Sequence, residues 1–343
     1  MQRPTIRACL FGAGEMATIH AMNLISDPRV ALCYVVDPSA ERAEALALAC
    51  GGRAVDADTA FADAGIDAFL IASPPRSHAD YLERAAATDA YVFCEKPIDH
   101  DISRIRTCMT KLQGREHRVQ IGFNRRFDAH FVKLKQAITE GRIGRVEQVL
   151  IISRDPQAPG VEGFIHSSGL LKETAIHDFD LVRWLLEDEP AEIFVMADAL
   201  INPADLAIGQ IDTATTVLRM RSGTHVTILN SLRAAFGYDQ RIEVLGSLGQ
   251  ASVGNVAESL VVLATAAGIR SEKPLWNYPQ RYAQAYRAEI LAFIEAVVRQ
   301  APVTPNAVDG LSASVISQAA IESMHRKQPV AIEAAAPEPS RTG

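Results

Sequence analysis

The feature that most narrows the folds open to this chain is residues 9–20, CLFGAGEMATIH. The apolar run IRACLF ends at Gly12, a helical pattern starts straight after Gly14, and Gly12, Gly14 and Ala17 spell G-x-G-x-x-A. In a strand-to-helix turn the first glycine permits the tight bend and the second lets backbone approach a pyrophosphate. The third position must be small so that helix and strand can touch. The helix start offers free N–H groups and the positive end of its dipole to phosphates. Asp37 closes the next apolar run, VALCYVV, where a carboxylate accepts hydrogen bonds from a ribose 2′-hydroxyl. Together these point to a dinucleotide, with Glu15 and Met16 beside Gly14 as further cofactor candidates. Asp37 repels a 2′-phosphate, and Pro38 and Ser39 add no cation, so NAD is expected over NADP; Arg42 is the one residue that argues the other way.

The first third continues the alternation of strand-like and helix-like segments: DAFLIA stops at Ser73-Pro74-Pro75, YVFCE follows a helix, and RVQIGF follows another. This pattern predicts an α/β fold that opens with a doubly wound parallel Rossmann sheet over residues 1–123. Past Asn124 strands dominate: VEQVLIIS, AEIFVMADAL, ATTVLRM, HVTILNSL, RIEVLG and LVVLATA. Two closing helices are expected near 282–299 and 307–326. Residues 124–333 therefore read as an α/β domain with an open, mostly antiparallel sheet and helices against one face. Residues 334–343 read as a flexible tail.

Of 343 residues, 48% are apolar and 22% charged, with 34 basic against 41 acidic side chains giving a net charge of -7. That balance, with no Lys/Arg-dense stretch, gives nucleic acid no footprint and favours a small-molecule partner. The five cysteines form no C-x-x-C pair, so no metal site is expected, and they read as reduced core residues. No apolar run reaches the roughly 18 residues that span a bilayer, and the N-terminus does not read as a signal peptide. A cytoplasmic protein with no membrane association is expected.

Two stretches carry reactive groups. In YVFCEKPID, Glu95 and Lys96 fall where a strand ends, the side of an open α/β sheet on which ligands bind; an exposed Glu-Lys pair before a turn is the plainer alternative. In LKETAIHDFDLVRWLL, residues 171–186, Glu173, His177 and Asp180 share the spacing of one helix face. A surface pairing of Glu173 with His177 is the plain alternative there.

The motifs GAGEMATIHAMNL, IASPPRSH, CEKPID, GFNRRFD, AIHDFDLVRWLL and GYDQRIEVLGSLG, in this order, resemble the Gfo/Idh/MocA oxidoreductases, and within them the inositol dehydrogenases most. The resemblance covers about residues 6–326. It implies a Rossmann domain and a C-terminal α/β domain whose sheet serves in oligomer contacts, as tetramer or dimer. It also implies hydride transfer between a polyol or sugar carbon and a nicotinamide. It makes Lys96 the catalytic lysine and His177 the catalytic histidine. Glu173 stands where inositol dehydrogenases usually carry aspartate.

By the same likeness Arg126, Asp155 and Tyr238 approach substrate hydroxyls or the cofactor, while Ser73, Pro74, His78 and Glu95 belong to the cofactor side. Arg126 and Asp155 also read as surface ions, Tyr238 as a strand cap and Ser77-His78 as a helix start. In residues 275–282, LWNYPQRY, Asn277 replaces an aromatic side chain common in related sequences. The chemistry expected is oxidation of a ring hydroxyl, with His177 as general base held by Glu173 or Asp180, and Lys96 stabilising the alkoxide. An aldose dehydrogenase or keto-sugar reductase on the same scaffold, or a non-catalytic dinucleotide sensor, are the alternatives.

Overall fold

Short, mostly apolar segments alternating with helices build the first part of the chain. In the computed structural model, which describes residues 6–158 and 169–333, these are β1 (Ile6–Phe11), α1 (Glu15–Ile25), β2 (Val30–Val36), α2 (Ala40–Cys50), β3 (Arg53–Ala54), α3 (Ala57–Ala62), β4 (Ala68–Ile71), α4 (His78–Ala86), β5 (Tyr91–Cys94), α5 (Ile102–Lys111) and β6 (Val119–Ile121). Ser39, Asp56 and Asp101 start α2, α3 and α5 by accepting hydrogen bonds from the first-turn N–H groups of Arg42, Thr59 and Ser103. The strands pair in parallel in the order β3-β2-β1-β4-β5-β6. This is the doubly wound Rossmann order, and its direction of winding reverses between β1 and β4. All four residues of β4 and of β5 are buried, as strands covered on both faces must be.

The rest of the chain supplies α6 (Ala129–Thr139), β7 (Val146–Arg154), α7 (Leu170–Glu173), α8 (Ala175–Leu186), β8 (Pro190–Asp198), β9 (Thr213–Met220), β10 (His225–Ser231), β11 (Asp239–Gly246), β12 (Gly249–Val253), β13 (Val262–Thr265), β14 (Gly268–Ser271), α9 (Tyr278–Arg281), α10 (Ala283–Arg299), α11 (Ala307–Arg326) and β15 (Val330–Ala331). Seven strands form a mixed sheet, β12-β11-β7-β10-β9-β8-β15. Only its β7–β10 pair is parallel; the other neighbours are antiparallel. Helix α8 packs against α6 and against β7 and β10.

Three expectations need adjusting. LVVLATA does not join the large sheet: β13 pairs with β14 in a separate hairpin whose residues are all exposed, so its apolar character does not signal burial within this chain. The helix expected over 171–186 is broken at Thr174 (φ −96°, ψ −56°), which leaves Glu173 at the end of α7 and His177 in the first turn of α8. The division at 123/124 treats the domains as consecutive pieces, but one compact unit comprises Met1–Phe127 with Gln284–Ser312, and the other holds Asp128–Ala283 and Ala313–Ala334. The physical reason lies in α10. Its Ile290, Phe293, Ile294 and Val297 complete the core under the parallel sheet, where the Phe293 ring lies 5.9 Å from that of Phe93. The expected tail, and residues 159–168 of the irregular loop before α7, lie outside the described residues.

Candidate active site

At the switch between β1 and β4 the chain leaves a cleft of about 430 Å³. Gly12, Gly14, Glu15, Met16, Asp37, Ser73, Pro74, His78, Glu95 and Lys96 all line it, together with Arg42, Ala72 and Pro75. Gly12 has φ +107°, and a Cβ there would sit 2.5 Å from the Ala72 carbonyl oxygen, so fold geometry alone demands glycine. Gly14 is different. A Cβ on it meets nothing within 4 Å, and it precedes α1 with no side chain capping the helix. Open space beside uncapped helix N–H groups, in front of a helix kept close to the sheet by fully buried Ala17, is what a pyrophosphate requires.

Asp37 does more than the sequence suggests. Its Oδ2 accepts from the Ala13 N–H at 2.9 Å and its Oδ1 from the Ser39 N–H at 2.8 Å, so it ties the glycine turn to the end of β2. The Arg42 guanidinium also donates to Oδ1, at 2.9 Å. Burial raises the Asp37 pKa, but the Ser39 N–H, Arg42 and the Ala13 N–H outweigh it and hold the carboxyl below its ordinary range. With two bonds on Oδ1 and one on Oδ2, the anion keeps one acceptor site, on Oδ2, for a ribose hydroxyl.

Lys96 follows β5, half-buried, in the wall of the same cleft. Behind it lies a polar network. Glu95 accepts from the Lys96 N–H at 3.2 Å through Oε2, and its Oε1 is 2.7 Å from Nε2 of His20. Burial pushes the Glu95 pKa up, yet the His20 hydrogen bond and the neighbouring Lys96 charge outweigh it and keep the group ionised. His78, 1% exposed, faces the Pro97 carbonyl with Nδ1 (2.8 Å) and the Ser73 carbonyl with Nε2 (2.6 Å). Burial dominates its titration and lowers its pKa, against the pull of those two carbonyls. Both ring nitrogens of His78 are therefore turned to main chain. Arg126, in the same unit, is largely buried and donates to Asp309 at 2.9 Å, so it is no loose surface ion.

In the second unit, His177 lies beside Asp178, whose carboxylate accepts from the Asn230 side chain at 2.8 Å near the end of β10. One residue on, the Ser231 carbonyl accepts from the Asp155 N–H at 2.9 Å, just past β7. The pairing of Asp239 with Arg154 puts Tyr238 at that same sheet end. Asp155, Tyr238 and the first turn of α8 thus converge on one end of the sheet. Tyr238 is buried, its ring edge-on to Tyr282. Asp180 is buried, while Glu173 and His177 are partly exposed. Asn277 caps α9 by accepting from the Gln280 N–H at 3.1 Å, which gives its departure from an aromatic side chain a structural reason.

The sequence matches the oxidoreductase family's NAD-binding Rossmann fold over residues 6–123 and the GFO/IDH/MocA C-terminal domain over residues 131–252. The chain belongs to the Gfo/Idh/MocA oxidoreductase family. It is 40% identical to an inositol 2-dehydrogenase of Rhizobium meliloti (strain 1021), over 96% of this chain and 99% of that one. It is 34% identical to a myo-inositol 2-dehydrogenase of Thermotoga maritima, over 96% and 99%. A crystal structure of scyllo-inositol dehydrogenase from Lactobacillus casei, with bound NAD(H) and scyllo-inositol, superposes with a TM-score of 0.88 at 28% identity, covering 95% of this chain and 99% of that one.

The first unit of this family member is an NAD-binding Rossmann domain, and its residues fit that cofactor: Gly14 leaves room, α1 offers N–H groups and Asp37 offers an acceptor. Among the described residues no group of three or more His, Cys, Asp or Glu side chains is placed to hold a metal ion, and no helix is long and apolar enough to cross a membrane. Sequence reading missed His20. Its only signal was a histidine on the buried face of the first helix, a position where an apolar side chain is the ordinary choice.

Proposed function

We propose that this oxidoreductase converts a secondary ring hydroxyl of an inositol-type cyclic polyol to a ketone. The observation that carries the reading is Lys96 in the wall of the NAD cleft, in a chain matched along nearly its whole length by inositol dehydrogenases. Bound NAD supplies the acceptor for the hydride that leaves the carbinol carbon. Lys96 contributes a compact positive charge that stabilises the oxygen as it loses its proton. His177 takes that proton, since an imidazole titrating near neutrality is suited to general-base work. Glu173 orients the ring or a neighbouring hydroxyl with a carboxylate one methylene longer than aspartate. Asp155 and Tyr238, at one sheet end, bind further hydroxyls, and Arg126, held by Asp309, approaches the substrate or the cofactor.

Glu173 also supports a second reading, in which an aldose takes the place of the inositol. An initial-rate panel decides between them: myo-, scyllo- and chiro-inositol against glucose, galactose and xylose, each with NAD and NADP. The expected outcome is the highest kcat/KM on an inositol with NAD, falling by roughly two to four orders of magnitude in kcat for His177→Ala while NAD affinity holds. A preference for an aldose, or undiminished turnover in that variant, contradicts the assignment.

We further propose that the protein self-associates through the outer face of its large sheet, as the family resemblance implies. Phe194, Met196, Val217 and Leu245 lie on that face, and Met196, Val217 and Leu245 are exposed.

A further inference from the structure

We infer that His20, acting through Glu95, is a positioning residue for Lys96; the inference rests on reading Lys96 as the cation that stabilises the alkoxide. His20 is fully buried on α1, edge-on to the rings of Phe93 (4.8 Å between centroids) and Tyr286 (5.9 Å). Its Nδ1 is buried with no hydrogen-bond partner among the described residues, whereas Nε2 lies 2.7 Å from Glu95 Oε1. A proton on Nδ1 would be stranded among those rings, at a cost paid by any unsatisfied buried donor. The partners therefore assign the proton to Nε2, and His20 donates to Glu95.

The carboxylate that receives this bond has little freedom. Its Oε2 takes the Lys96 N–H, and it packs so closely on Gly122 that a Cβ there would lie 2.9 Å from Oε2. Lys96 and His78, from α4, add favourable charge interactions at Glu95. A continuous set of directed contacts thus runs from the helix that begins at the glycine turn, through His20 and Glu95, to the Lys96 peptide. Burying a histidine and an ionised carboxylate is no efficient way to fill a core, since an apolar pair of similar volume packs at no desolvation cost. What the polar pair provides is direction: it fixes the backbone from which the Lys96 ammonium reaches into the cleft, relative to the helix that meets the cofactor.

The experiment compares wild type with His20→Leu, His20→Gln, Glu95→Gln and Lys96→Met in steady-state assays with myo-inositol and NAD, alongside NAD titrations. His20→Leu is expected to lower kcat roughly 10- to 100-fold, the usual effect of misplacing a catalytic group, with NAD affinity changed less than about threefold. His20→Gln restores most of the rate, because its amide N–H still reaches the carboxylate. Added to Lys96→Met, the His20→Leu change leaves the residual turnover unaltered, since its effect passes through a side chain already removed. Wild-type kcat in His20→Leu, a multiplicative loss in the double variant, or no recovery with glutamine overturns the inference. Should His20→Leu fail to fold, Glu95→Gln decides by two of these criteria, a lowered kcat and no further loss when added to Lys96→Met; wild-type kcat or a multiplicative loss overturns the inference. Full turnover in Lys96→Met sinks the reading of Lys96 itself, a result distinct from the other failures.

Discussion

Gly12 and Gly14 sit two residues apart in one turn and are glycines for different reasons. Gly12 is required by its own fold, with φ +107° and the Ala72 carbonyl where a side chain would go. Gly14 meets no such demand, because its surroundings are open, and the proposed reason for it is the pyrophosphate that enters the cleft. Gly12→Ala is expected to destabilise the protein by more than about 1 kcal/mol, measured by denaturant unfolding. Gly14→Val should shift stability by no more than about 0.5 kcal/mol while weakening NAD binding roughly tenfold or more in a titration. NAD affinity unchanged in Gly14→Val would remove the pyrophosphate from this turn. The motif was legible because its logic is local. Asp37 was half legible: its place at a strand end beside the glycine turn could be read, but its bond to the Ala13 N–H depends on two strands lying side by side. His20 was not legible, because its partner Glu95 is distant in sequence and the pairing is a product of folding.

Among elements, short-range rules set the helix starts, and Ser39, Asp56, Asp101 and Asp128 each cap as their chemistry suggests. Periodicity alone could not reveal the break at Thr174. There the His177 N–H bonds back to the Thr174 carbonyl, three residues away, so Glu173 and His177 are not a simple pair on one continuous helix. The anchoring of α8 through Asp178 and Asn230 joins distant segments and leaves no trace in local pattern. Apolar strand residues read as buried, yet the outer face of the large sheet exposes Met196 and Val217 on adjacent strands. Exposed apolar patches of this kind mark association surfaces. Light scattering is expected to give a mass of two or four chains for wild type, and a smaller species for the double variant Met196→Lys, Val217→Lys. A monomeric wild type would leave that face without its proposed partner.

For the molecule as a whole, the parallel order of the first unit follows from alternating strands and helices, whereas the return of Gln284–Ser312 to that unit is a long-range event that only packing decides. The dehydrogenase class was legible for the same reason as the Rossmann turn: cofactor binding uses a short motif at a strand end. In the proposed reading Asp155, Glu173 and Tyr238, drawn from separate segments, select the polyol, and motif spacing does not encode their mutual geometry. The most direct measurement follows the hydrogen itself. With myo-inositol deuterated at the ring carbons and NAD in ordinary water, proton NMR of the reduced cofactor is expected to show deuterium at the nicotinamide C4 and an inosose as product. Reduced cofactor carrying only protium, or no reduction with any inositol, would contradict the account.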